Sequence, residues 1–180
     1  MRHLPIAGDQ LSREAVFMKT FNSPRSNALR IGRQSIAGQR YLITTRCDQR
    51  ETRFANWASA SRVAAAIDCR RLWRDSRILC WVLMPDHMHL LIELGENESL
   101  PALMRRVKCV TAGVANAVDR RRGRVWMPGY HDHALRSDES VAAAVRYMVV
   151  NPVRAGLVRR AGDYPYWNCV WLGDGMADWE

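Results

Sequence analysis

The chain has 180 residues, 48% of them hydrophobic, a length and composition that suit one folded domain with a single core. Its formal net charge is +9, nearly all of it arginine, since only Lys19 and Lys108 are lysines. No run of about 18 apolar residues occurs, which excludes a membrane-spanning helix, and the opening stretch MRHLPIAGDQLSREAVF lacks the apolar core of a secretion signal, so a cytoplasmic protein is expected.

Residues 1–38 scatter Ser, Asn, Arg and Gly around Pro24, Gly32 and Gly38. They read as a basic, partly flexible N-terminal arm, with one short helix expected near Arg13–Phe21. Residues 40–47, RYLITTRC, carry the β-branched and aromatic residues of a first strand. From Asn56 to Trp73 the period becomes helical, with Trp57, Val63, Ala66, Ile67, Leu72 and Trp73 as the apolar stripe. Two short apolar runs follow, RILCWVL at 77–83 and HMHLLIEL at 87–94. Met84-Pro85-Asp86 joins them tightly, because proline fixes its own φ and pushes Met84 into an extended conformation. The two runs are therefore expected to form a hairpin.

Ser99 opens a long helix expected to reach about Arg121, with Leu100, Leu103, Met104, Val107, Val110 and Val114 at helical spacing and Gly123 ending it. Pro128-Gly129 marks a turn before a strand around 130–136. Ser137 suits the N-cap of a further helix, and Asp138 and Glu139 suit its positive end. That helix is expected to stop near Val150, because Pro152 disfavours helix at Asn151. The remainder reads as loop and short pieces, closing in an acidic tail at 173–180. The first six elements spell βαββαβ, a ferredoxin-like α+β fold on an antiparallel sheet with helices on one face. Such a sandwich is expected to leave the other face open for a ligand.

Arginine presents a planar fork that binds phosphate bidentately and stacks on bases. A basic, arginine-rich chain therefore points to nucleic acid, with a solvated basic surface as the alternative that charge alone leaves open. Arg105, Arg106 and Lys108 lie on the polar side of the long helix, and Arg120, Arg121, Arg122 and Arg124 cluster at and beyond its end. Together with Arg154 they form the expected DNA-contact set. The five cysteines, Cys47, Cys69, Cys80, Cys109 and Cys169, are odd in number, widely spaced and without a CxxC. Reduced, mostly buried thiols are expected, in place of a disulfide framework or a zinc knuckle.

His87-Met88-His89 begins a predicted strand. Strand side chains alternate, so both histidines point to one face, about 6–7 Å apart along it, and can share one divalent metal. Met88, Leu90 and Ile92 point the other way, toward a core. Taken alone, an HxH pair is also compatible with two polar residues on an exposed strand face. Tyr147 and Asn151 stand four apart at a helix end and share a helical face. A phenol is a weak nucleophile at neutral pH, and a metal that polarises the attacked phosphate lowers that barrier. A core tyrosine and a simple capping asparagine are the competing reading. A second HxH pair, His131 and His133, offers an alternative metal site or a contact to DNA phosphate, and is expected beside the metal site or near DNA.

The phrases YLITTR at 41–46, WVLMPDHMHLLIEL at 81–94, RVWMPGYHDHALR at 124–136 and YMVVNPVRAGLV at 147–158 resemble the REP-associated tyrosine transposases, relatives of the single-tyrosine HUH transposases of bacterial insertion sequences. The resemblance covers roughly residues 30–172. It implies an HUH endonuclease domain over 39–172 with an additional C-terminal catalytic helix. It implies a Mg²⁺ or Mn²⁺ ion held by His87, His89 and Asn151, with Tyr147 as nucleophile. It also implies cleavage of single-stranded DNA beside palindromic, REP-like hairpins through a 5′-phosphotyrosine linkage, by a monomer or homodimer at the bacterial nucleoid. One departure is Asp86, where many relatives have asparagine. The competing readings are a metal-dependent nuclease that activates water and a non-catalytic hairpin-binding protein.

Overall fold

The computed structural model describes residues 35–135 and 138–171. The arm up to residue 34, with its expected helix near Arg13–Phe21, the N-cap expected at Ser137 and the acidic tail lie outside the described residues. The elements are β1 (Arg40–Arg46), α1 (Trp57–Asp68), a four-residue α2 (Arg70–Trp73), β2 (Arg77–Leu83), β3 (His87–Glu93), α3 (Leu100–Asp119), β4 (His131–Leu135), α4 (Asp138–Arg154) and β5 (Trp167–Cys169). No helix among the described residues is long and apolar enough to cross a membrane.

The strands form one sheet in the order β4-β1-β3-β2-β5, every neighbouring pair antiparallel. The expected α+β sandwich is present, with β5 added at the edge beside β2. β2 and β3 make the expected hairpin: Leu83 pairs with Met88 and the Met84 N–H donates to the His87 carbonyl at 2.8 Å across Pro85-Asp86.

One face of the sheet presents Tyr41, Ile43, Trp81, Leu83, Met88, Leu90 and Ile92, and these close a core with Val63 and Ile67 of α1 and Leu103, Met104 and Val107 of α3. The alternation that buries Met88, Leu90 and Ile92 there directs His87, His89 and Leu91 to the opposite face. That second face is not open as expected. α4 packs against β2, β3 and β4, and Val141, Ala144, Val145 and Met148 of the helix and Leu42, Val82 and Leu91 of that sheet face are all buried. A bare face carrying those aliphatic side chains would expose a large apolar patch, and α4 removes it from water.

Local chemistry explains most boundaries. Asn56 caps α1 by accepting from the Ala58 N–H at 2.8 Å, and Ser99 caps α3 by accepting from the Ala102 N–H. Trp57, expected in the buried stripe of α1, sits at the first helical position and is 73% exposed. The buried stripe of α3 runs on through Thr111 and Ala115, whereas Val110 is exposed. Arg120, at φ 51°, ends α3 in the left-handed conformation, three residues before the expected Gly123.

α4 also departs from expectation. It runs through Pro152 to Arg154 and does not stop at Val150. Its stop is Gly156, at φ +69°: the Gly156 N–H donates to the Val153 carbonyl and the Leu157 N–H to the Pro152 carbonyl, both at 3.0 Å. That is a Schellman closure. Proline lacks one donor, which costs a single helical bond near a terminus, and the following turn is retained.

Candidate active site

His87 and His89 lie on the central strand β3, which fixes their backbone from both sides. In register, Arg46 of β1 stands opposite His87, and Thr44 stands opposite His89. The two rings converge more closely than strand spacing alone implies. Their centroids are 4.8 Å apart and nearly perpendicular, and the two Nε2 atoms stand 3.1 Å apart. Each Nδ1 is engaged on the far side: that of His87 meets Asp86 Oδ1 at 2.5 Å, and that of His89 meets Thr44 Oγ1 at 2.8 Å. With Asp86 accepting from the His87 Nδ1–H, and Thr44 holding the same tautomer of His89, both Nε2 lone pairs turn toward one point.

His89 is only 3% exposed. Burial, then the neighbouring His87 and then Arg46, hold its imidazole well below the ordinary histidine range, so it is neutral at physiological pH. A neutral imidazole is the form that ligates a metal. Two bare nitrogens 3.1 Å apart repel each other unless a cation or a proton lies between them. The separation is close to the edge of an octahedron whose ligands sit about 2.1 Å from the ion. The donor chemistry therefore fits a divalent metal, although among the described residues no group of three or more His, Cys, Asp or Glu side chains forms a metal cluster.

α4 brings the rest. The Tyr147 ring stands edge-on to His89 with centroids 5.5 Å apart. Tyr147, Asn151 and Arg154 follow at spacings of four and three along one helical stripe. The Asn151 side-chain nitrogen is buried and has no hydrogen-bond partner among the described residues. Such an orphaned group calls for a partner, and a half-turn of the amide presents the oxygen, a metal-ligating atom, in its place. The Arg154 guanidinium carbon lies 6.0 Å from the Tyr147 ring centroid, within cation–π range. The structure thus brings His87, His89 and Tyr147 together, with Asp86 behind His87. It also brings in Thr44 and Arg46, two residues that the motifs do not single out. Alternation in YLITTR places both on the face of the histidines once β1 is paired with β3.

His131 and His133 occupy β4 at the sheet edge, half-buried, opposite Thr44 and Leu42 respectively. They share the face of His87 and His89, with β1 between the two pairs. Among the basic residues, Arg105, Arg120, Arg121, Arg122 and Arg124 are exposed. Arg106 is held by Glu98, at 2.6 Å, and by the Leu72 carbonyl at 2.8 Å. Lys108 donates to the carbonyls of Met127 and Gly129 at 2.6 and 2.7 Å. These two long side chains staple α3 to its surroundings, which leaves them less to offer a phosphate than their exposed neighbours.

Comparison with known proteins identifies the family. The sequence model of the family described as "Transposase IS200 like" matches residues 35–150. The REP-associated tyrosine transposase of Escherichia coli (strain K12) is 29% identical over 97 residues, 52% of this chain and 54% of that protein. The match thus spans about half the length of that relative. A putative REP-associated tyrosine transposase of Haemophilus influenzae is 24% identical over 131 residues, 66% of this chain and 72% of that protein. A solved structure described as the REP-associated tyrosine transposase bound to a REP hairpin superposes with a TM-score of 0.59 at 23% identity, covering 75% of this chain and 79% of that one; at that identity the likeness speaks to the fold. With the family model covering β1 to β4, both histidines of β3 and Tyr147, the chain belongs to the IS200-like transposase family and is related to the REP-associated tyrosine transposases.

Proposed function

We propose that the protein is a metal-dependent endonuclease and strand transferase for single-stranded DNA that recognises a palindromic hairpin and cuts beside it, with Tyr147 as the nucleophile. The observation that carries this reading is the convergence of the two Nε2 atoms 3.1 Å apart, with the Tyr147 ring edge-on to His89 at 5.5 Å.

His87, His89 and Asn151 would hold Mg²⁺ or Mn²⁺, with Asp86 and Thr44 keeping the two imidazoles in the ligating tautomer. The cation, when bound, supplies Lewis-acid polarisation of the scissile phosphate. The remaining work falls to the chain. The Tyr147 oxygen attacks phosphorus and the bond to the 3′ oxygen breaks. The phenol gives up its proton and the leaving oxygen gains one, which leaves a 3′-OH and a 5′-phosphotyrosine. One phosphodiester is exchanged for another, so attack by a 3′-OH on that linkage rejoins strands without ATP. Arg46 and Arg154 flank the site and suit the charge that develops on the phosphate oxygens.

The relatives' names and the solved hairpin complex point to hairpin DNA as the partner. The exposed Arg105, Arg120, Arg121, Arg122 and Arg124 suit its phosphates. Action on chromosomal hairpins would place the protein at the bacterial nucleoid. The test is incubation of the full chain with a labelled hairpin carrying single-stranded flanks, with Mn²⁺ or Mg²⁺ or with chelator. Metal-dependent cleavage in the flank is expected. Hairpin binding with no cleavage under either metal would support the non-catalytic reading and overturn this one.

A further inference from the structure

β5 has only three residues and lies at the edge of the sheet, where its last residue, Cys169, stands directly opposite Cys80 of β2. The Leu83 N–H donates to the Tyr166 carbonyl and the Val170 N–H to the Leu79 carbonyl, both at 2.9 Å. Hydrogen-bonded and non-hydrogen-bonded pairs alternate along an antiparallel ladder. With bonded pairs at 83–166 and 79–170, the pair 80–169 falls at a non-hydrogen-bonded position. There the Cα atoms approach to about 4.5 Å and the side chains lie closest, inside the Cα range of about 4.4–6.8 Å that a disulfide accepts. Cys80 aligns with Leu91 of β3, so both thiols lie on the face covered by α4.

Both cysteines are free thiols that face each other across the strand pair. Donation from the Cys80 thiol brings the Cys169 thiol down to about 7, against the opposing effect of burial. The same polar contact, followed by burial, pushes Cys80 up. One partner is thus poised as a thiolate and the other as its proton donor. The remaining cysteines have no such counterpart: Cys47 bridges to Trp126, and Cys69 and Cys109 are exposed on helices or their ends.

We propose that Cys80 and Cys169 form a thiol–disulfide exchange site for low-molecular-weight disulfides, which closes to a cross-strand disulfide fastening β5 to β2. The Cys169 thiolate attacks one sulfur of the small disulfide, whose S–S bond breaks and releases one thiolate. Cys80, giving its proton to that thiolate, attacks the Cys169 sulfur and expels the second thiol. The two cysteines lose two electrons and two protons, and the small disulfide is reduced to two thiols. Cys80 and Cys169 are 1% and 5% exposed. The oxidant therefore enters when β5 opens, and a three-residue edge strand is the kind of segment that opens locally.

The test uses the full chain carrying Cys69→Ser and Cys109→Ser, which removes the exposed thiols and keeps the pair intact. After equilibration with oxidised glutathione, intact mass should show the loss of two hydrogens. Non-reducing peptide mapping should give one linked pair containing residues 80 and 169. Tm should rise by roughly 5 °C or more, reversibly on adding dithiothreitol. Cys169→Ser in the same background should block closure. A glutathione adduct that persists on Cys169 without closing, closure that involves Cys47, or an unchanged mass would each overturn the proposal.

Discussion

The same pattern occurs twice in this chain, His87-Met88-His89 on β3 and His131-Asp132-His133 on β4, and the sheet turns all four histidines to one face. The pairs differ in their surroundings. β3 is central, its middle residue Met88 is fully buried, and each imidazole is held from behind by Asp86 or Thr44, so two Nε2 atoms meet 3.1 Å apart. β4 is an edge strand, and its middle residue is the half-buried Asp132, directed to the opposite face. Under the proposed function the pair on β3 serves as the ligand pair, since its strand is held on both sides and its two Nε2 atoms converge.

The contrast between the strands breaks if the two pairs matter equally. His87→Ala or His89→Ala is expected to lower cleavage by more than about a hundredfold, beyond the typical loss for a residue that only supports a ligand. His131→Ala and His133→Ala are expected to stay within about tenfold. Hairpin affinity should survive in all four, because phosphate contacts carry most of it. Single-turnover cleavage together with a binding titration measures both quantities, and the reverse ranking would assign the chemistry to β4.

A smaller effect sharpens the role of Thr44. Thr44→Val keeps the shape but removes the oxygen 2.8 Å from His89 Nδ1. Mn²⁺ affinity, measured by calorimetry, should fall about 10- to 100-fold, whereas Thr44→Ser should bind nearly as the parent does. Equal affinity in Thr44→Val would show that the His89 ring is oriented by packing alone.

His89 also predicts a pH dependence. Its folded-state pKa is depressed, chiefly by burial, while the unfolded value is about 6.5. Above that value both states are neutral and the stability is fully present. As pH falls below it, the unfolded chain takes up a proton that the folded chain resists, so stability is lost. The slope for one such group reaches at most about 1.4 kcal/mol per pH unit. Urea unfolding of the metal-free protein from pH 8 to pH 5 should show this component, and His89→Gln should remove it. Identical slopes in the two proteins would place the acid sensitivity elsewhere.

The smallest expected effect concerns the basic surface. Arg121→Ala with Arg122→Ala should reduce the slope of log affinity against log salt by about 1 to 2. Arg106→Ala should leave that slope nearly unchanged and lower the melting temperature, because its guanidinium is committed to Glu98 and the Leu72 carbonyl. Loss of salt dependence in Arg106→Ala would return it to the DNA-contact set.

Period-two alternation is a strong local signal, and it makes β1, the β2–β3 hairpin and the common face of His87 and His89 legible in the amino-acid sequence alone. The cap at Ser99 is equally local. What escapes depends on partners distant in the chain. Thr44 and Arg46 acquire meaning only once β1 lies beside β3. Arg106 and Lys108 look like ordinary basic residues until Glu98 and the Met127 and Gly129 carbonyls arrive beside them. β5 is too short for periodicity, and only its pairing with β2 defines it. At the end of α4 the sequence carries two stop signals. Pro152 is the more conspicuous, yet Gly156, which can take the left-handed turn at no steric cost, is the one that acts.

Under the proposed function Tyr147, whose ring stands edge-on to His89, makes the covalent bond to DNA. The most direct measurement is a denaturing gel of the full chain with a hairpin substrate carrying a single-stranded flank and Mn²⁺, followed by peptide mapping of any protein–DNA adduct. An adduct whose DNA remnant maps to Tyr147 is expected, and it should be lost together with cleavage in Tyr147→Phe, while fold and hairpin binding persist. Undiminished cleavage by Tyr147→Phe, with no adduct in the parent protein, would contradict that role and identify activated water as the nucleophile.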